Sequence, residues 1–252
     1  MKLENNTILI TGGASGIGLG LAEAFYQKGN KVIIAGRRKD LLESVSQKYD
    51  GMDYIELDVA NAESIKTAVS SLIEKYPDLN VVINNAGIMP FDNAAEKIDP
   101  ATCQRIVDTN LIGPIMLTSA LIEHLKAQPQ ASIVYNTSIL AFLPLATSAV
   151  YSASKAALHS YALSQRFMLR ETNVTVQEIA PPWVDTDLIK KGSDPRAMPV
   201  DVFVNETMSL LETDAPEIVV NAVKDIRDNP GENEHALINA FNLELINNPP
   251  PI

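Results

Sequence analysis

The most constraining feature of this chain is a strand that runs into a glycine-rich turn and then a helix. Thr7-Ile-Leu-Ile-Thr11 leads directly into Gly12-Gly-Ala-Ser-Gly-Ile-Gly18, after which Leu19, Ala22, Phe25 and Tyr26 recur at helical spacing. Gly29-Asn30 closes that helix with the two residue types that best tolerate left-handed backbone. The alternation then repeats. Strands are expected over 31–35, 54–57, 81–84, 133–137 and 174–179, and helices over 62–76, 101–127 and 148–171, with a further helix lined by Leu41, Leu42 and Val45. Strands that are apolar at successive positions must be covered on both faces, which intervening helices do while keeping the strands parallel. The expected fold is α/β, a doubly wound and mostly parallel sheet.

A chain of 252 residues is long enough to bury about 70–75% of the surface that its unfolded form exposes. One domain over 1–252 is expected. Lys190-Lys191-Gly192-Ser193-Asp194-Pro195 reads as part of a mobile flap over 187–212, with helical segments near 200–212 and 215–227. Asn247-Asn248-Pro249-Pro250-Pro251 reads as a short frayed tail. The 20 basic and 31 acidic residues give a net charge of −11, which repels phosphate backbones, so nucleic acid is not an expected partner. No signal-peptide pattern opens the sequence, and the apolar stretch Ile139–Val150 is interrupted by Pro144 and too short for a bilayer. A cytoplasmic protein without a membrane partner is expected. Cys103 is the only cysteine, and His124, His159 and His235 stand apart from acids at ligand spacing, so no metal site is expected.

Three groups of residues carry chemistry. Glycines between a strand and a helix let backbone N–H groups approach a pyrophosphate at the positive helix end. The spacing here is Gly-x-x-x-Gly-x-Gly, and in isolation such a turn is also ordinary punctuation. The second strand ends in Gly36-Arg37-Arg38, where an NAD site usually places an acid. Guanidinium groups at that point favour a 2′-phosphate, and therefore NADP(H), unless the pair is simply solvated. Tyr151 and Lys155 stand four apart on one helix face, so phenol and ammonium reach one ligand, and a nearby ammonium favours phenolate. Ser138 ends a strand thirteen residues upstream.

Together these residues resemble the short-chain dehydrogenase/reductase family over Thr11 to Thr186. The resemblance rests on the Gly-rich turn, Asp58-Val59, Asn84-Asn85-Ala86-Gly87, Asn110, Ser138, Tyr151/Lys155 and Pro181-Pro-Trp-Val-Asp-Thr186. It implies a Rossmann-type fold and a catalytic set of Tyr151, Lys155, Ser138 and Asn110. It also implies an NADP(H) site made by Gly12, Ala14, Ser15, Gly16, Ile17, Gly18, Arg37, Arg38, Asp58, Val59, Asn84, Ala86, Gly87, Tyr151, Lys155, Pro181, Val184 and Thr186. The opening turn and Pro-Pro-x-Val-Asp-Thr-Asp also resemble the branch labelled by the D-alanylation operon of lipoteichoic acid.

The family usually has Pro-Gly where this chain has Pro181-Pro182, which removes a backbone donor. The expected reaction interconverts a carbonyl and an alcohol by hydride transfer with NADP(H), in a homodimer or homotetramer. Met89, Ile139, Leu140 and Trp183 divide between core and an apolar substrate pocket. The rival reading is a catalytically idle NADP(H)-binding sensor or scaffold, which needs the turn but not Ser138, Tyr151 or Lys155.

Overall fold

Strands β1 (Thr7–Thr11), β2 (Lys31–Gly36), β3 (Asp53–Glu56), β4 (Leu79–Asn84), β5 (Ala131–Asn136), β6 (Val174–Ile179) and β7 (Glu217–Ile218) form one sheet. Their spatial order is β3-β2-β1-β4-β5-β6-β7, and all neighbours are parallel. The helices that return the chain are α1 (Gly16–Gln27), α2 (Lys39–Ser46), α3 (Ala62–Lys75), α4 (Pro100–Val107), α5 (Gly113–Ala127), α6 (Ala149–Leu169), α7 (Val200–Leu211), α8 (Lys224–Arg227) and α9 (Glu234–Asn247). The computed structural model describes residues 1–213, 215–228 and 233–249.

Successive strand residues point to opposite faces, and two cores result. Ile8, Ile10, Ile34 and Ile83 pack on one side with Leu21, Phe25 and Phe203. Leu9, Ile33, Val82 and Ile133 pack on the other with Leu72, Leu117, Leu121 and Leu158. Each such side chain, fully buried, contributes about 1.5–3 kcal/mol. The chain order reverses between β1 and β4. That switch point opens a crevice at the carboxyl ends of the strands, where ligands of open α/β sheets bind.

The helix expected over 101–127 is interrupted. Between α4 and α5 the residues Asp108–Ile112 form a π turn, an insertion that often marks a functional site. Gly113 then packs against the Val59 backbone so closely that a Cβ would overlap it. The stretch Pro100–Ala127 has the length and apolarity of a membrane span, with mean hydropathy 1.3 in its most apolar window. Leu117, Leu121 and Leu125 are nevertheless wholly buried against the sheet, as in a core helix.

The chain after β6 also differs from the periodic pattern. Glu217 and Ile218 pair with Glu178 and Ile179 as a short edge strand, where a helix over 215–227 is expected. This pairing is a tertiary effect that local periodicity does not encode. Helix α7 occupies the second half of the expected flap and buries Phe203, Val204, Met208 and Leu211 against the core. Its close approach to α1 depends on Gly20, whose absent Cβ would strike the Val204 side chain. Part of the tail expected to fray, Pro250 and Pro251, lies outside the described residues.

Candidate active site

The turn after β1 is held from both sides of the crevice. Gly12 has φ +66, a left-handed conformation that glycine adopts without strain, and its N–H donates to the Ala35 carbonyl at 2.7 Å. From β4, Asn85 N–H and Ala86 N–H both donate to Thr11 Oγ1, at 2.9 and 3.0 Å, and Asn85 Nδ2 donates to the Thr11 carbonyl at 2.9 Å. Asn136 Nδ2 donates in turn to Asn85 Oδ1 at 2.7 Å, tying β5 to the same turn. Asn84 points elsewhere, donating to Thr118 Oγ1 on α5 at 3.1 Å.

Helix α1 begins here with Ser15 as its N-cap, and no side chain caps its first amides. Ser15 Oγ instead accepts from Arg38 Nη2 at 2.9 Å. Ala14 is buried, and Ile17 packs half-buried against the core. Thr186 lies over the turn, since a Cβ at Gly16 would meet its side chain at 3.2 Å. Val184 is buried, with a bridge to Met198, and the Pro181 carbonyl accepts from Ile139 N–H at 2.9 Å. At the outer end, Asp58 Oδ1 accepts from Ala60 N–H at 3.0 Å, and Val59 is buried beside α5.

Four polar side chains meet at the other end of the crevice. Tyr151 and Lys155 are buried on one face of α6, and Lys155 Nζ donates to the Asn136 carbonyl at 2.8 Å. Ser138 follows β5, and its hydroxyl accepts from Leu140 N–H at 3.1 Å. Burial pushes the Tyr151 phenol up to about 12, while a hydrogen bond with Ser138 pulls the other way. Burial draws the Lys155 ammonium down to about 8, opposed by the charge of Glu178. Asn110, fully buried in the π turn, donates to the Ile88 carbonyl and accepts from Ile88 N–H, both at 2.9 Å. It also donates to Ser154 Oγ at 3.2 Å, so the π turn is laced to α6.

These residues leave room for a dinucleotide. A Cβ at Gly87 would sit 3.4 Å from Asn110 Oδ1 and 3.6 Å from Lys155 Nζ, so the glycine keeps open the space in front of both groups. At Gly36 a Cβ would meet only Leu42, at 3.9 Å, which leaves the approach to Arg37 and Arg38 clear. The uncapped start of α1 adds free N–H donors between the two. A dinucleotide of the NAD(P)(H) type fits this donor set.

A separate apolar cluster surrounds the phenol. Met89, Leu145 and Tyr151 are buried together, with Leu140, Ile189, Phe241 and Leu245 against them. Ile139 belongs instead to the main core, and the Trp183 ring faces the Arg196 guanidinium at 5.4 Å. Phe241 and Leu245 sit on α9, which lies across the site and carries no motif that would announce it. Their only signal in the sequence is a Phe and a Leu four apart, on one helix face.

A model of the family described as short chain dehydrogenase matches residues 6–197. The chain belongs to that family. Among its relatives is the uncharacterized oxidoreductase DltE of Bacillus subtilis (strain 168), 39% identical over 236 residues, or 90% of this chain and 93% of the relative. Sulfoacetaldehyde reductase 2 of Chromohalobacter salexigens is 29% identical, over 85% of this chain and 87% of its own. In structure, the short-chain dehydrogenase of Burkholderia cenocepacia J2315 in complex with NADP superposes with a TM-score of 0.83 at 27% identity, covering 98% of this chain and 99% of that one. The fold and the oxidoreductase class of this chain follow from membership of the family.

Proposed function

We propose that the protein is an NADP(H)-dependent oxidoreductase that interconverts a carbonyl and an alcohol. The observation that carries this reading is a continuous set of groups: Gly87 keeps open the space in front of Asn110 and Lys155, Lys155 lies beside the Tyr151 ring, and Tyr151 shares a hydrogen bond with Ser138. When bound, NADP(H) supplies the hydride for reduction or accepts it in oxidation. Tyr151 gives its proton to the carbonyl oxygen, and Ser138 holds that oxygen by a hydrogen bond. The Lys155 ammonium lies 5.6 Å from the centre of the Tyr151 ring and would hold the ribose of a bound cofactor. It stabilises the phenolate that remains after proton transfer, and Asn110 supports the water that refills the proton. The chain contributes placement and electrostatics, and the hydride chemistry belongs to the cofactor.

The apolar cluster around Tyr151 suits an apolar or aromatic ketone or aldehyde more than a highly charged metabolite. Exposed Met116 on α5 and Leu163, Phe167 and Met168 on α6 suit self-association as a dimer or tetramer. The deciding experiment is a panel of aldehydes, ketones and alcohols, with sulfoacetaldehyde included, followed by NADPH absorbance with NADH in parallel. Turnover of aryl or alkyl carbonyls supports the reading. Tight NADPH binding with no turnover across the panel would favour an idle sensor instead.

A further inference from the structure

Glu178 is fully buried near the end of β6, and none of the steps above uses it. Its two carboxylate oxygens are gripped by different elements. Oε1 accepts from Thr137 Oγ1 at 2.6 Å, and Thr137 immediately precedes Ser138. Oε2 lies 2.7 Å from Nδ1 of His159, one turn beyond Lys155 on α6. Thr137 is fixed further by its N–H and hydroxyl, which donate to the Ile179 carbonyl at 2.8 and 3.1 Å. One side chain thus links the strand end that carries the serine to the helix that carries the tyrosine and lysine.

The charged groups around it come from three elements. His159 meets it from α6 and Glu217 lies within 4.8 Å on β7, while the charges of Lys155 on α6 and Arg227 on α8 couple to it and that of Arg166 on α6 to Glu217. Glu217 is held by Arg227 through two bonds at 2.7 and 3.0 Å, and that guanidinium lies over the Phe142 ring, which meets His159 edge-on at 4.7 Å. Arg166 is committed to the Val176 and Pro216 carbonyls. The ligand atoms of His159, Glu178 and Glu217 lie within 4.8 Å of one another, a spacing that a cation accepts. The guanidinium on Glu217 and the hydroxyl and imidazole on Glu178 already fill those positions, so the cluster is an ion-pair network. A carboxylate removed from water is costly unless it is matched by partners and charge. Arg166 satisfies its guanidinium on carbonyls, whereas Lys155 is a buried ammonium whose burial penalty the Glu178 charge offsets.

We propose that Glu178 is a positioning residue for the reaction, holding Ser138 in place through Thr137 and supplying the negative charge that the Lys155 ammonium faces. The role rests on the oxidoreductase reading above, and its test does not depend on turnover alone. Glu178→Gln removes the charge but keeps both hydrogen bonds, because an amide oxygen still accepts from Thr137 and an amide N–H still donates to an imidazole nitrogen. The measurement is the NADPH dissociation constant by fluorescence from pH 6 to pH 10, with kcat/KM over the same range for the best carbonyl substrate. In Glu178→Gln the alkaline limb of NADPH affinity moves about one pH unit towards acid, and that of kcat/KM moves with it. Limbs that coincide with those of the native protein overturn the proposal. Should Glu178→Gln not fold, Thr137→Val decides: it keeps the charge and frees the serine, so kcat falls about tenfold with the alkaline limb in place, and an unaltered kcat overturns the role. If the native protein binds NADPH but reduces nothing, the oxidoreductase reading fails, while the binding limb of Glu178→Gln still settles whether Lys155 depends on Glu178.

Discussion

Lys155 holds its ammonium 5.6 Å from the centre of the Tyr151 ring, with both side chains buried on α6. Burial moves the two groups in opposite directions, the phenol up to about 12 and the ammonium down to about 8. At neutral pH the pair is therefore a protonated phenol beside an ammonium, which is the state that donates a proton to a developing alkoxide.

The same pair makes stability depend on pH. The folded Lys155 releases its proton near pH 8, whereas in an unfolded chain it does so near 10.4. Between those values the unfolded chain binds more protons, so the folded state gains stability as pH rises. The phenol acts in the reverse sense: from about pH 10 to 12 the folded state keeps a proton that the unfolded chain loses, and stability falls. Urea unfolding without added nucleotide at pH 7.5 and 9.5 checks the lysine. Relative to Lys155→Met, the native protein should gain about 2 kcal/mol over that interval, at about 1.36 kcal/mol per pH unit. A parallel response of the two proteins would place the lysine in water.

Substitutions in the catalytic set should separate by readout. Tyr151→Phe keeps the ring and its packing but removes the proton donor, so kcat falls by about 10²–10⁴-fold while NADPH affinity holds. Lys155→Ala should lower both, because in the proposed function the ammonium serves the phenol and would also hold the cofactor ribose. Ser138→Ala falls between them in kcat. Near-native turnover by Tyr151→Phe would remove the phenol from the mechanism.

The proposed cofactor preference rests on the end of β2. Space at Gly36 and charge at Arg37 and Arg38 should favour NADPH over NADH by about tenfold or more in kcat/KM, on the order of 1.4 kcal/mol. The double change Gly36→Asp with Arg37→Ala puts a carboxylate into that space and should erase or invert the preference. Equal use of both nucleotides by the native protein would refute the assignment.

The parallel sheet was legible because β1, β2 and β4 carry runs of successive apolar residues, Ile8–Ile10, Val32–Ala35 and Val81–Ile83, a pattern that few folds accommodate. Tyr151, Lys155 and Ser138 were legible because a helical four-residue spacing and a strand end place them together. His159 was not: it stands apart from any acid along the chain, and only the parallel pairing of β5 with β6 under α6 brings Glu178 to it. Asn85 and Asn136 lace the Gly-rich turn through contacts between distant strands, which a residue list cannot show. The packing of α9 on Tyr151 is of the same kind, an unmarked amphipathic segment placed by tertiary contact.

Helix α9 leads to the last prediction, on substrate size. Asn242 fastens it to the loop before α6: its Oδ1 accepts from Ala146 N–H at 2.5 Å, and its Nδ2 donates to the Pro144 carbonyl at 3.1 Å. That latch presses Phe241 and Leu245 onto the cluster containing Met89, Leu145 and Tyr151. Phe241→Ala opens the wall without touching a polar group of the catalytic set. The ratio of kcat/KM for a bulky aryl ketone over a short alkyl aldehyde should therefore rise by roughly tenfold, within the 1–3 kcal/mol that small changes in an apolar pocket supply. Asn242→Ala loses both hydrogen bonds to the loop before α6 and a third to the Ile238 carbonyl, and leaves Ala146 N–H without its acceptor, so it should lower stability by about 1–2 kcal/mol and raise KM for both substrates. NADPH affinity should be unchanged in both variants, because the cluster on which α9 packs contains neither the Gly-rich turn nor Arg37 and Arg38. A substrate ratio that stays at the native value in Phe241→Ala would show that α9 does not bound the pocket.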